Sequence, residues 1–139
     1  MPILDHTPDP DHREERLRKD AIAWLGSVRP DGRPHVVPVW FFWDGKVVMI
    51  ASEPNTQKVR NLASNPKVTI ALDDSRAGQD VVLFEGVATL VPEPAEQVMP
   101  PGYLEKYSGL LAEMEWSPEA YLGDYSQMIL VRPTRFIVW

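Results

Sequence analysis

IAWLGSVRPDGRPHVVPVWFFWDGKVVMIASEPNTQKVRNLASNPKVTIAL, residues 22–72, decides the fold of this chain. Pro30-Asp31-Gly32 and Asp44-Gly45 are turn sequences, each set between runs rich in Val, Ile and aromatic residues. Such runs suit a pleated, half-buried backbone, and glycine supplies the positive φ of a tight hairpin. The stretch predicts strands over 21–28, 34–43 and 46–52. A short helix from about Thr56 then stops before Asn65-Pro66, because proline disfavours helical geometry in the residue before it. A fourth strand is expected over 67–73. Pro38 cannot donate to a ladder, so it implies an edge, a bulge or a strand break where a ligand can approach.

Towards the N-terminus, residues 1–10 read as a loose arm, and Asp9 or Asp11 as the cap of a charged helix through about Lys19. In the other direction a polar link over 74–80 leads to a fifth strand over 81–91. Gly86 in its middle signals a bend or a close backbone approach. Residues 92–124 read as a helical or irregular insertion punctuated by Pro100-Pro101 and Pro118. Leu104, Tyr107, Leu110, Leu111 and Met114 recur there at three- and four-residue intervals, one apolar helical face. Residues 127–132 and 135–139 close the chain as a strand pair, or as one long strand interrupted near Pro133.

Six or more strands with short links and helices at two points predict a mainly β fold with peripheral helices, an antiparallel barrel that removes exposed edges. The terminal run Phe136-Ile137-Val138-Trp139 has to pack somewhere, and a dimer interface is one such place.

The 139 residues are enough for one core and too few for two, so 1–139 is expected to be a single domain. The absence of cysteine excludes disulfides and thiolate metal sites. No apolar run approaches a membrane span, and MPILDHTPDPDHREER lacks the apolar segment of a signal peptide. A cytoplasmic protein without a membrane partner is expected. A net charge of −6 speaks against nucleic acid as a partner, since phosphate backbones call for clustered Lys and Arg. Within that total, residues 22–72 carry Arg29, Arg33, Lys46, Lys58, Arg60 and Lys67 against Asp31, Asp44 and Glu53. Residues 93–124 carry Glu93, Glu96, Glu105, Glu113, Glu115, Glu119 and Asp124 against Lys106. An anion would bind the first half.

The helix start offers the place. Thr56 or Asn55 can cap the first free amides, and the spare amides can meet a phosphate oxygen. Lys58 and Asn61, three apart on one face, add a charge and a neutral donor, while Val59, Leu62 and Ala63 turn to the core. A capped amphipathic helix with solvated cations reads the same way. The strand Pro38-Val39-Trp40-Phe41-Phe42-Trp43 can present backbone groups and an indole to a flat heteroaromatic ring. Phe41 and Phe42 read as core, and Trp40 and Trp43 are open between core and ligand. His6, His12 and His35 have no metal-ligand spacing, and neither GxSxG nor GxxxxGK[ST] occurs. In an enzyme built this way, the hard chemistry belongs to a bound cofactor.

Gly32-x-Pro34-His35-Val36-Val37-Pro38-Val39-Trp40, then Asp44-Gly45, then Lys58-x-x-Asn61-Leu62-x-x-Asn65-Pro66 resembles the flavin and deazaflavin oxidoreductases of the pyridoxamine 5′-phosphate oxidase-like superfamily. The resemblance is closest to members that use the deazaflavin coenzyme F420, covers residues 15–91 well, and reaches the C-terminal third only in outline. It implies a split β-barrel homodimer with two cofactor sites at the interface. It assigns Lys58 and Asn61 to the cofactor phosphate, with Ser52 and Thr56 beside them, and Pro38, Val39 and Trp40 to the strand lining the ring. Arg60 would reach towards the coenzyme's anionic tail. The implied activity is hydride transfer from reduced F420 to an unsaturated or carbonyl-conjugated small molecule, with solvent or one of Tyr103, Tyr107, Tyr121 and Tyr125 giving the proton. An FMN-dependent oxidoreductase and a non-catalytic cofactor carrier or haem-binding module are the alternatives. The chain is short for pyridoxamine phosphate oxidase itself and lacks the C-terminal substrate motif expected of it.

Overall fold

The computed structural model of the chain describes residues 9–73 and 75–137. Among the described residues there are seven strands: β1 (Ile22–Val28), β2 (Pro34–Trp40), β3 (Phe42–Trp43), β4 (Val48–Ser52), β5 (Lys67–Leu72), β6 (Val82–Pro94) and β7 (Gln127–Phe136). Five helices decorate them: α1 (Pro10–Lys19), α2 (Gln57–Ser64), α3 (Ala95–Val98), α4 (Pro101–Glu113) and α5 (Pro118–Asp124). The sheet runs β2-β1-β5-β6-β7-β4-β3, and every neighbouring pair is antiparallel. Its two edges, β2 and β3, are halves of one stretch of chain separated by Phe41 alone. The sheet thus returns on itself as a barrel. Alternate residues fill the interior, among them Ala23, Leu25, Ile50, Ile70, Phe84 and Ile129, all fully buried.

The hairpin turns follow the sequence. Gly32 and Gly45 sit at φ +90° and +99°, where a Cβ is strained, and Asp44 Oδ1 accepts from the amides of Lys46 and Val47 at 2.8 Å. Pro38 lies on the edge strand β2 opposite Trp24, where no ladder donor is lost. Gly86 is the expected close approach: a Cβ there would lie 2.8 Å from the Arg132 carbonyl oxygen, beside a register shift at Glu85/Gly86.

Three expectations are corrected. The single strand over 34–43 is broken at Phe41, because one stretch cannot pair with β1 on one side of the barrel and β4 on the other without leaving the ladder between them. β6 continues to Pro94, so the helical insertion begins at Ala95 rather than 92. Of the loose arm over 1–10, residues 1–8 lie outside the described residues. Asp9, however, caps α1, its Oδ1 accepting from the His12 amide at 3.0 Å, and Pro10 opens the helix. Phe136, half-buried, packs against Phe84, ring centroids 5.3 Å apart, with the Arg13 guanidinium 3.7 Å from its centroid; Val138 and Trp139 lie outside the described residues. Among the described residues no helix is long and apolar enough to cross a membrane.

Candidate functional site

The acidic insertion closes the seam at Phe41. Tyr107 of α4 accepts from the Phe41 N–H at 2.8 Å and donates to the Ala21 carbonyl at 2.6 Å. Lys106 Nζ donates to the Phe41 carbonyl at 2.8 Å and lies 3.8 Å from the centroid of its ring. Burial draws this amine down to about 8, with the carboxylate of Asp20 opposing. Tyr103, one turn earlier, accepts from the Ala51 N–H at 3.3 Å, and its hydroxyl lies 2.9 Å from that of Tyr121. Burial raises the phenols of Tyr103 and Tyr107 far above their ordinary value and pushes Tyr121 up to about 12, so all three remain neutral donors. The buried face of α4 is therefore Tyr103, Tyr107 and Leu111, flanked by half-buried Leu104 and Leu110; Met114, expected on that face, is exposed at the helix end.

Trp40, the last residue of β2, stacks on Tyr107 with centroids 4.5 Å apart and planes 2° from parallel. Beside it opens a cavity of about 280 Å³. Ile22, Pro38, Val39, Trp40 and Ala51 form the strand side, α2 contributes Lys58, and Met114, Trp116, Tyr121 and Tyr125 form the facing wall. That wall exists because Glu115, at φ +55°, turns the chain back at the end of α4. Trp116 then meets Tyr121 and Tyr125 edge-on at 5.2 and 5.5 Å. Trp43 is core, its indole N–H donating to Glu14 at 2.9 Å, whereas Trp40 faces the cavity.

Lys58 is half-buried, and among the described residues its Nζ makes no hydrogen bond or ion pair. Burial lowers its pKa, and the charge of Glu53 opposes the shift. A cation held against aromatic walls without a partner is complementary to an anion. Thr56 is the N-cap of α2, but its hydroxyl makes no capping bond and lies instead 3.3 Å from Ser52 Oγ. The first helical bond is Arg60 N–H to the Thr56 carbonyl at 3.0 Å, so the amides of Gln57, Lys58 and Val59 precede the ladder. Ser52 is fully buried and donates to the Glu53 carbonyl at 2.8 Å.

The remaining expected residues separate. Arg60, exposed, donates to the Asn55 carbonyl and to Gln57 Oε1 at 2.8 Å, clasping the left-handed Asn55 at the helix entrance. Asn61 is fully buried: its Nδ2 donates to Ser27 Oγ at 3.0 Å and its Oδ1 accepts from Gln57 Nε2 at 2.7 Å. Of the pair Lys58 and Asn61, Lys58 lines the cavity while Asn61 fastens α2 to β1. Ala63, expected to face the core, is exposed. The place of Met114 and Trp116 in the cavity wall has little sequence signal: Met114 reads as the end of the apolar face of α4, and Trp116 as a lone apolar side chain between Glu115 and Ser117. A larger depression of about 440 Å³ lies on the outer face of the sheet over Gly26, but its charged side chains, Lys67 and Glu85, are exposed and solvated.

A solved F420 reductase is 30% identical to this chain, with 89% of this chain and 94% of that protein covered and a TM-score of 0.68. A conserved hypothetical protein of Mycobacterium tuberculosis is 23% identical over 95% of this chain and 84% of its own, TM-score 0.73. HutZ, the haem storage protein of Vibrio cholerae, is 19% identical over 94% and 93%, TM-score 0.60. These last two share the fold. The family described as pyridoxamine 5′-phosphate oxidase matches residues 9–136, nearly the whole described chain. With its antiparallel barrel, its peripheral helices and this match, the chain belongs to the pyridoxamine 5′-phosphate oxidase family.

Proposed function

We propose that the protein is an F420-dependent reductase acting on an unsaturated or carbonyl-conjugated small molecule. The observation that carries this is Lys58, a half-buried cation that makes no hydrogen bond or ion pair among the described residues and lines an otherwise apolar, aromatic cavity. A coenzyme with a phosphate and a flat ring system suits such a site: Lys58 and the first amides of α2 would hold the phosphate, with Ser52 and Thr56 beside it. Pro38, Val39 and Trp40 would line the ring, Arg60 would face the anionic tail, and Asn61 would hold α2 in register from behind. Bound and reduced, the coenzyme supplies the hydride; the protein binds, orients and excludes water. The 30% identical F420 reductase favours the deazaflavin over FMN, whose phosphate and ring make the same demands and which stands as the second reading.

The homodimer belongs to the same proposal. Ile22, Trp24 and Val36, 41%, 46% and 61% exposed, form an apolar outer face on β1 and β2 that runs up to the cavity at Ile22 and Pro38. A second copy seated there would bring each cofactor site to the interface, and light scattering reports it directly as twice the chain mass. The cofactor is tested by titrating the purified protein with F420 and with FMN in parallel. Tighter binding of F420 is expected; binding of FMN alone moves the protein to the flavin branch, and binding of neither overturns both readings.

A further inference from the structure

Resting on that reading of the cavity, we infer that the Tyr125 hydroxyl is the donor that receives the carbonyl oxygen of a flat, uncharged acceptor lying against Trp116. Four tyrosines stand on or next to α4 and α5, and the hydroxyls of three meet a hydrogen-bond partner within the protein. Tyr107 is bonded to Phe41 and Ala21, Tyr103 to Ala51 and Tyr121, and Tyr121 to Tyr103. Tyr125 lines the cavity together with Lys58, and its hydroxyl makes no hydrogen bond among the described residues. Its ring is nonetheless held, stacked on Tyr121 at 5.0 Å and set edge-on to Trp116 at 5.5 Å. A fixed ring with an uncommitted O–H is a directional donor.

The surroundings define the ligand. Ile22, Val39 and Met114 offer it apolar surface, and Trp116 a flat one. Partial burial and the carboxylates of Glu53 and Asp124 keep the phenol protonated, and the same two carboxylates repel an anionic acceptor from this end of the cavity. A neutral carbonyl compound of one or two fused rings meets each condition. As its oxygen gains negative charge during reduction, the hydrogen bond from Tyr125 strengthens, which is the condition for accelerating the step rather than merely binding the ligand.

The test compares a ketone with its hydrocarbon, 1-indanone and indane, by calorimetric titration of the protein loaded with oxidised F420. Wild-type protein should bind the ketone more tightly by about three- to ten-fold, the scale of one neutral hydrogen bond. In Tyr125→Phe the preference should vanish while indane and F420 bind as before, which also shows that the variant is folded. A ketone preference that survives in Tyr125→Phe, or is missing from wild-type protein, overturns the inference. Failure of F420 to bind wild-type protein overturns the proposed function instead, and the indanone–indane comparison then decides on the unloaded protein whether Tyr125 is the donor.

Discussion

Tyr107 accepts from the backbone N–H of Phe41 at 2.8 Å across a separation of 66 residues, and that bond holds the barrel's seam. A phenol carries one proton, which goes to Ala21 at 2.6 Å, so the Phe41 carbonyl 3.0 Å away takes its donor from Lys106. Two adjacent side chains of α4 therefore replace the ladder partners that Phe41 loses where β2 ends and β3 begins.

Tyr107→Phe keeps the stack on Trp40 but leaves the buried Phe41 N–H without an acceptor. The expected loss is about 1–3 kcal/mol of unfolding free energy, read as a lower urea midpoint at unchanged slope. An unchanged midpoint would show that another group can take over this amide.

Lys106 sets a pH dependence of unusual sign. Its folded value of about 8 lies below the ordinary 10.5, so between these values the unfolded chain holds a proton that the folded chain has released. Stability contributed through Lys106 is thus level below pH 8 and rises between pH 8 and 10.5. The difference in unfolding free energy between wild-type protein and Lys106→Met should shift in favour of wild type between pH 7 and pH 10. A difference that stays constant across that range would mean that the folded amine titrates normally.

Two glycines should answer oppositely to alanine. At Gly86 a Cβ would stand 2.8 Å from the Arg132 carbonyl oxygen and 2.9 Å from Val131 Cγ1, contacts that the paired strands cannot relieve. Gly86→Ala should destabilise by about 1–3 kcal/mol. At Gly109, exposed within α4, a Cβ meets nothing within 4 Å, and Gly109→Ala should stabilise by about 0.5–1 kcal/mol. Thermal melts of the two variants settle both signs.

Lys58 should separate binding from stability. Lys58→Ala is expected to weaken F420 binding by about 1–3 kcal/mol, the scale of a charge-assisted hydrogen bond. Because the wild-type cation is half-buried and makes no hydrogen bond or ion pair among the described residues, Lys58→Met should leave the protein more stable by about 0.5–1 kcal/mol in the absence of coenzyme. Equal F420 affinity in wild-type and Lys58→Ala protein would remove the phosphate assignment.

Most of the barrel was legible because its signals are short-ranged. Asp31-Gly32 and Asp44-Gly45 need no distant partner to turn the chain and Asn65-Pro66 ends α2 locally, whereas Ile22-Ala23-Trp24-Leu25, apolar throughout, does not state which face of β1 is buried. The site was legible in part. Lys58 and the strand Pro38-Val39-Trp40 do line one cavity, but helical spacing could not tell that Asn61 turns inward to Ser27. The wall of Met114 and Trp116 was missed, since its position depends on the reversal at Glu115 after a helix whose own docking is set by Phe41.

By itself, the sequence determined most of the strands, their turns, the capped N-terminal helix and the cation at the start of α2, all properties of residues within a few positions of one another. Tertiary structure alone decided three things: that the chain breaks at Phe41, that Asn61 supports rather than lines the cavity, and that Tyr125 is the tyrosine whose hydroxyl meets no hydrogen-bond partner among the described residues. The first two depend on a partner tens of residues away, Tyr107 for Phe41 and Ser27 for Asn61, and the third on the bond between Tyr103 and Tyr121, 18 residues apart. A hydrogen bond satisfied from that distance leaves no periodicity in the chain, so only the folded molecule shows which polar groups are spent and which remain to meet a ligand.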